Sequence, residues 1–74
     1  MIAINLPTEL LRTFITVIDL GGYTRAAEML NRTQPAISLQ MRRLEELVGT
    51  KLLVLDGRAL SLTEAGQTLS AYVG

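Results

Sequence analysis

The sequence contains no cysteine and no histidine. Without cysteine there is no disulfide framework, and without either residue the usual zinc ligand sets are excluded. The same two absences remove Ser-His-Asp and Cys-His nucleophiles. Lys51 is the sole lysine, so amine chemistry has a single candidate, and neither an enzyme nor a cofactor is expected. No apolar run approaches the roughly 18 residues of a membrane span. The opening Met1-Ile2-Ala3-Ile4 lacks the basic start of a secretory signal, so a cytoplasmic location is expected. The 74 residues make one domain at most. A domain this small buries roughly 60% of the surface its unfolded chain exposes, too little for a deep cleft built on a second lobe. The hydrophobic fraction, 49%, is nevertheless that of a folded chain.

Seven basic residues cancel seven acidic ones, whereas nucleic-acid binders are usually basic. The distribution says more than the total. Between residues 25 and 43 lie Arg25, Arg32, Arg42 and Arg43 against Glu28 alone, a local balance of +4 − 1 = +3. Glu9, Asp19, Glu45, Glu46 and Glu64 lie outside that stretch, which is an electropositive island on a neutral domain.

The spacing predicts a first helix from Thr8 to Leu20. Thr8 would cap it, Glu9 would suit its positive end, and Gly21-Gly22 would stop it. Leu10, Phe14, Val17 and Ile18 form an amphipathic stripe that Leu11 and Ile15 widen. A short second helix follows Thr24 as N-cap, through Arg25-Ala26-Ala27-Glu28-Met29-Leu30, with two small residues that permit close helix approach. The third begins at Thr33 or Gln34. Pro35 is tolerated in its first turn, Ile37, Met41, Leu44 and Val48 make its buried stripe, and Gly49 suits a left-handed C-terminal cap. After Gly49 the period changes. Leu52–Leu55 reads as a strand, Asp56-Gly57 as a two-residue hairpin turn, and Arg58–Leu62 as the returning strand. Thr63 would cap a fourth helix with Glu64 in its first turn. Its apolar positions Ala65, Leu69, Tyr72 and Val73 run to the last residues, a pattern expected of a truncated helix. This order is that of a mainly α winged helix-turn-helix.

On a wheel of about 100° per residue, Met41, Leu44 and Val48 fall within about 40° of Ile37. Pro35, Ser38, Leu39 and Arg42 cluster on the opposite side. One face is core and the other is small, polar and basic, as a helix entering a major groove requires. Gln34 can pair bidentately with adenine N6 and N7, Ser38 can reach either base edge, and Arg42 can neutralise a phosphate. Leu39 is either a contact for a thymine methyl or an ordinary surface leucine. Thr24 and Thr33 sit at helix starts that offer free N–H groups to phosphates. Arg25 beside the first is either a phosphate contact or a solvated charge. Arg58, next to the hairpin turn, either enters a minor groove or guards an edge strand against pairing.

Taken in order, several motifs resemble the N-terminal DNA-binding domain of LysR-type transcriptional regulators. They are Leu11-Arg12-Thr13-Phe14, Tyr23-Thr24-Arg25-Ala26-Ala27-Glu28, Thr33-Gln34-Pro35-Ala36-Ile37-Ser38-Leu39-Gln40, Arg43-Leu44-Glu45, Leu52-Leu53, Gly57-Arg58 and Leu62-Thr63-Glu64-Ala65-Gly66. The resemblance covers Leu10 to Leu69, nearly the whole chain. It implies a winged helix-turn-helix over residues 1–62, with Gln34, Pro35 and Ser38 at DNA-contact positions and Arg58 as the wing arginine. It implies that residues 63–74 begin a linker helix through which two subunits pair. Complete members carry a C-terminal domain that binds a small-molecule effector, absent here, and act on promoter DNA, usually as tetramers. Three positions depart from the pattern. Leu55 replaces a polar residue or arginine before the wing turn, Leu39 replaces a polar or basic residue, and the linker helix stops at Gly74.

Two functions from different classes compete. One is sequence-specific binding of double-stranded DNA, as a homodimer paired along Ala65, Leu69 and Tyr72 on an inverted repeat. The other is a winged-helix protein-interaction module without DNA binding, favoured by the neutral charge and the wide apolar first helix. The acid-poor polar face from Pro35 to Arg42 supports the first. An interaction surface would more often carry an aromatic anchor there, and Phe14, Tyr23 and Tyr72 all lie elsewhere.

Overall fold

A computed structural model describes residues 6–56 and 59–73. Its elements are α1 (Thr8–Leu20), α2 (Tyr23–Met29), α3 (Gln34–Val48), β1 (Leu53–Asp56), β2 (Ala59–Leu62) and α4 (Glu64–Val73). The strands form a two-stranded antiparallel ribbon, and α1, α2 and α3 pack on one another. This is the expected winged helix-turn-helix.

The core forms where the three helical stripes meet. Phe14, Val17, Ala26, Ile37 and Leu44 are wholly buried, with Leu52 sealing the base. Burying a side chain the size of Phe14 or Ile37 contributes about 1.5–3 kcal/mol. Ala26 and Ala27 supply the close approach of α2 that their size predicts. Leu11, Ile15 and Ile18 are half-buried against the same cluster, which accounts for the wide apolar face of α1.

The helix starts refine the expectations. Thr8 does not cap α1. Extended Pro7 holds the N-cap position without a side-chain bond, and its carbonyl accepts from the N–H groups of Leu10 and Leu11 at 3.1 and 3.2 Å. Thr24 does not cap α2 either. Gly21, at φ 76°, closes α1, extended Gly22 becomes the next N-cap, and Thr24 is drawn inside the first turn. Thr33 does cap α3, its Oγ1 accepting from Ala36 N–H at 3.3 Å. Gly49 ends α3 at φ 93°, in the left-handed conformation where a side chain would be strained.

The ribbon begins one residue later than expected, at Leu53. Leu52 is instead a core plug, 1% exposed, whose carbonyl accepts from Thr63 N–H at 3.0 Å. Asp56 pairs with Ala59 and so belongs to β1, while Gly57 of the expected turn lies outside the described residues. Thr63 caps α4 as expected, accepting from Gly66 N–H at 3.0 Å. Its hydroxyl also donates to the Lys51 carbonyl at 2.6 Å, tying the helix start to the strand of chain below.

Candidate nucleic-acid interface

α3 presents two unlike faces. Ile37, Met41 and Leu44 are buried against α1 and α2, whereas Gln34, Pro35, Leu39 and Arg42 are exposed and Ser38 is half-exposed. Leu39 is 51% accessible, so it stands on the surface and not in the core. The residues singled out on this helix therefore share one outward face over its first two and a half turns. Thr33 is exposed at its start. Thr24 and Arg25 are exposed in the first turn of α2, outside the apolar cluster. Arg58 lies outside the described residues.

The two acids that follow the recognition face along α3 are handled differently. Glu45 turns toward the ribbon, where Oε2 accepts from the N–H groups of Leu52 and Leu53 at 2.8 and 3.3 Å. Its carboxylate thus satisfies backbone donors at the junction of α3 with the wing. Glu46 is exposed near the far end of α3. No carboxylate occurs from Gln34 to Arg43, so the leading half of the helix offers only neutral and cationic groups to a polyanion.

The electropositive island is smaller than the residue count suggests. Arg32 donates to Glu9 Oε2 at 2.9 Å, the one ion pair among the described residues. Gln40 Nε2 donates to the same oxygen at 3.1 Å. Thr13 Oγ1 bonds to the Glu9 carbonyl at 3.0 Å and to Gln40 Oε1. This network joins the start of α1, the turn before α3 and the middle of α3, and so fixes how α3 is presented. The ion pair is half-exposed, so it contributes at most about 1 kcal/mol. The part-buried bond from buried Thr13 to Gln40 contributes on the order of 1 kcal/mol. Arg25, Arg42 and Arg43 carry the island's remaining charge.

The network was missed in the sequence, although one signal was available. Thr13 occupies a polar slot inside the stripe Leu10–Phe14–Val17, and a polar group placed there needs a partner. The sequence gives no sign that Tyr23 approaches α3. In the structure it opens α2 beside Ser38, Arg42 and Lys51, in a recess of about 550 Å³ between α3 and the wing. Burial, reinforced by the nearby Glu45 carboxylate, raises its phenol above the ordinary value.

Along α4, Ala65 and Leu69 are half-buried against the chain's own core, whereas Tyr72 is 84% exposed. The expected pairing stripe is thus seated at its near end and open only toward its far end. Among the described residues, no helix is long and apolar enough to cross a membrane, and no acidic cluster could hold a metal ion.

The family described as "Bacterial regulatory helix-turn-helix protein, lysR family" matches residues 8–67. The regulator PecT of Dickeya dadantii is 46% identical over 69 residues, covering 93% of this chain and 22% of PecT. The chain therefore spans about a fifth of the length of that relative. A transcriptional regulator of the LysR family from Eggerthella lenta superposes with a TM-score of 0.87 at 40% identity, covering 92% of this chain and 97% of the other. CbnR_DBD, solved as a complex with DNA, superposes with a TM-score of 0.84 at 34% identity, covering 90% and 77%. With the helix order, the ribbon register and the α3 face already in place, this chain belongs to the lysR family of bacterial regulatory helix-turn-helix proteins.

Proposed function

We propose that this chain is a sequence-specific binder of double-stranded DNA, the reading unit of a bacterial transcriptional regulator. The observation that carries it is the face of α3, exposed and free of carboxylates from Gln34 to Arg43 above a wholly buried inner stripe. Laid in a major groove, that face brings its N-terminal turns to the base edges. Gln34 pairs with adenine, Ser38 contacts an adjacent edge, and Leu39 covers a thymine methyl. Pro35 lets the backbone lie close without an unsatisfied N–H. Arg42 and Arg25 neutralise phosphates, and Thr24 and Thr33 flank helix starts that favour anions. Arg58 reaches toward the adjacent minor groove from the wing.

Two copies pair through α4 along Ala65, Leu69 and Tyr72. This places two α3 helices in successive major grooves roughly 34 Å apart. A neutral domain with few free arginines gains little from counterion release, so avidity supplies what one subunit lacks. The longer protein would add the effector-binding domain and assemble as a tetramer in the cytoplasm. The assay is fluorescence anisotropy with a labelled A·T-rich inverted repeat and with one half of it. Salt-sensitive binding that is much tighter on the full repeat is expected. Failure to bind either duplex in about 50 mM salt contradicts the proposal, because phosphate attraction is strong there.

A further inference from the structure

The open recess between α3 and the wing holds a set of donors that the reading face alone does not explain. Its walls bring together Tyr23 from the start of α2, Ser38 and Arg42 from α3, and Lys51 from the loop before β1. Leu53 and Leu55 of β1 form its apolar side. Two of these groups are cations, and two are hydroxyls able to donate. Glu45 also lines the recess, but its Oε2 is engaged by two backbone N–H groups at the wing junction. Arg42 and Lys51 are both exposed, and neither enters an ion pair among the described residues. The balance of formal charge is +2 − 1 = +1.

We propose that this recess seats a backbone phosphate of the same duplex that α3 reads, with Lys51 and Tyr23 as further DNA contacts. The inference rests on the DNA-binding reading and adds residues to it. Continuity argues for the occupant. Ser38 and Arg42 belong both to the outward face of α3 and to this recess, so a strand whose bases meet that face runs past its mouth. Charge complementarity argues the same way, since a phosphodiester needs a cation and donors and offers only acceptors. Tyr23 serves as a neutral donor, since a phenol keeps its proton at physiological pH and burial here favours that form further. Lys51 acts as a point charge without directional demands, which suits a contact carrying no sequence information.

The test compares the 74-residue chain with Lys51→Gln and Tyr23→Phe variants across a salt series. Each variant is titrated with the inverted repeat and with an unrelated duplex of equal length. Lys51→Gln is expected to weaken binding roughly four- to ten-fold per bound subunit at about 50 mM salt, equally on both duplexes. The slope of log affinity against log salt should fall by about 0.9 per bound subunit, so the deficit per subunit shrinks about 3.5-fold by about 200 mM. Tyr23→Phe keeps the ring and removes one donor. It should weaken both duplexes by a few-fold and leave the slope unchanged. Arg12→Gln, which removes an exposed cation of α1 outside the recess, should change neither. An unchanged slope in Lys51→Gln, while the parent chain binds, overturns the phosphate seat and leaves the α3 reading standing. A loss confined to the inverted repeat also overturns it, because that result assigns Lys51 to base reading. Absence of binding by the parent chain defeats both proposals.

Discussion

Gly66 fixes how α4 sits on the domain, and replacing it with alanine provides a sharp test of the packing described above. It lies in the first turn of α4, buried, directly over the chain at Leu52. A Cβ at this position would stand 2.2 Å from the Leu52 carbonyl oxygen and 3.1 Å from its carbon. Both are backbone atoms, so no side-chain rotation relieves the overlap. Leu62 Cδ2, at 3.2 Å, closes the third side. Relief requires α4 to lift, which strains the Thr63 N–H bond to Leu52 O at 3.0 Å and the Thr63 hydroxyl bond to Lys51 O at 2.6 Å. Helix propensity alone favours alanine over glycine by about 1 kcal/mol. Overpacking costs roughly 1–3 kcal/mol, and losing a hydrogen bond adds on the order of 1 kcal/mol. A net destabilisation of about 1–3 kcal/mol is therefore expected. For a domain of this length each 1 kcal/mol moves Tm by about 4–8 °C. Thermal unfolding followed by circular dichroism should show Gly66→Ala lowering Tm by roughly 5–20 °C. An unchanged or raised Tm would mean that propensity dominates and that α4 is not clamped to Leu52.

Thr33→Ala removes the α3 cap and should cost about 1 kcal/mol in urea unfolding; no loss would show that the 3.3 Å contact to Ala36 contributes nothing. Glu9→Gln should cost less than about 1 kcal/mol, because the ion pair with Arg32 is half-exposed. Thr13→Val should cost on the order of 1 kcal/mol by removing the buried donor to Gln40. Equal costs for the two would contradict the ranking by burial. Tyr23 has a phenol raised from 10.0 in the folded state, so the unfolded chain loses this proton first as pH rises. Its contribution should be complete below about pH 10 and lost above it, a dependence that Tyr23→Phe removes. Gln34→Ala should cost about 1–3 kcal/mol on the preferred duplex and little on an unrelated one; a uniform loss would reassign Gln34 to backbone contact.

Much of the fold was legible because each element carried a local signal strong enough to act alone. The α3 stripe Ile37–Met41–Leu44 and the Gly49 stop sit where spacing places them, and Val48 of the same stripe is half-buried. Alternation in β2 likewise marked its half-buried face, Leu60 and Leu62, against exposed Ala59 and Ser61. The span of α1 matches its expectation, but the caps of α1 and α2 fall before Thr8 and Thr24 because backbone geometry outweighed side-chain capping. Pro7 already holds the extended N-cap of α1, and the Gly21-Gly22 turn advances α2 past Thr24. Leu52 was read as strand because an apolar run does not reveal where pairing yields to plugging. The outward face of α3 followed from helical periodicity. The Glu9–Gln40–Thr13–Arg32 network and the recess at Tyr23 and Lys51 did not. They join residues distant in the sequence, and only the packing of α1, α2 and the wing brings them together.

The central claim is that the face of α3 meets DNA, and a backbone amide titration tests it most directly. The chain is titrated with a short A·T-rich duplex carrying an inverted repeat, first at low and then at moderate salt. Shifts concentrated at Thr24–Arg25, from Thr33 to Arg42 and at wing residue Arg58, fading as salt rises, are the predicted result. If those amides stay still at low salt, where phosphate attraction is strongest, the face does not bind DNA and a protein partner for the winged helix takes precedence.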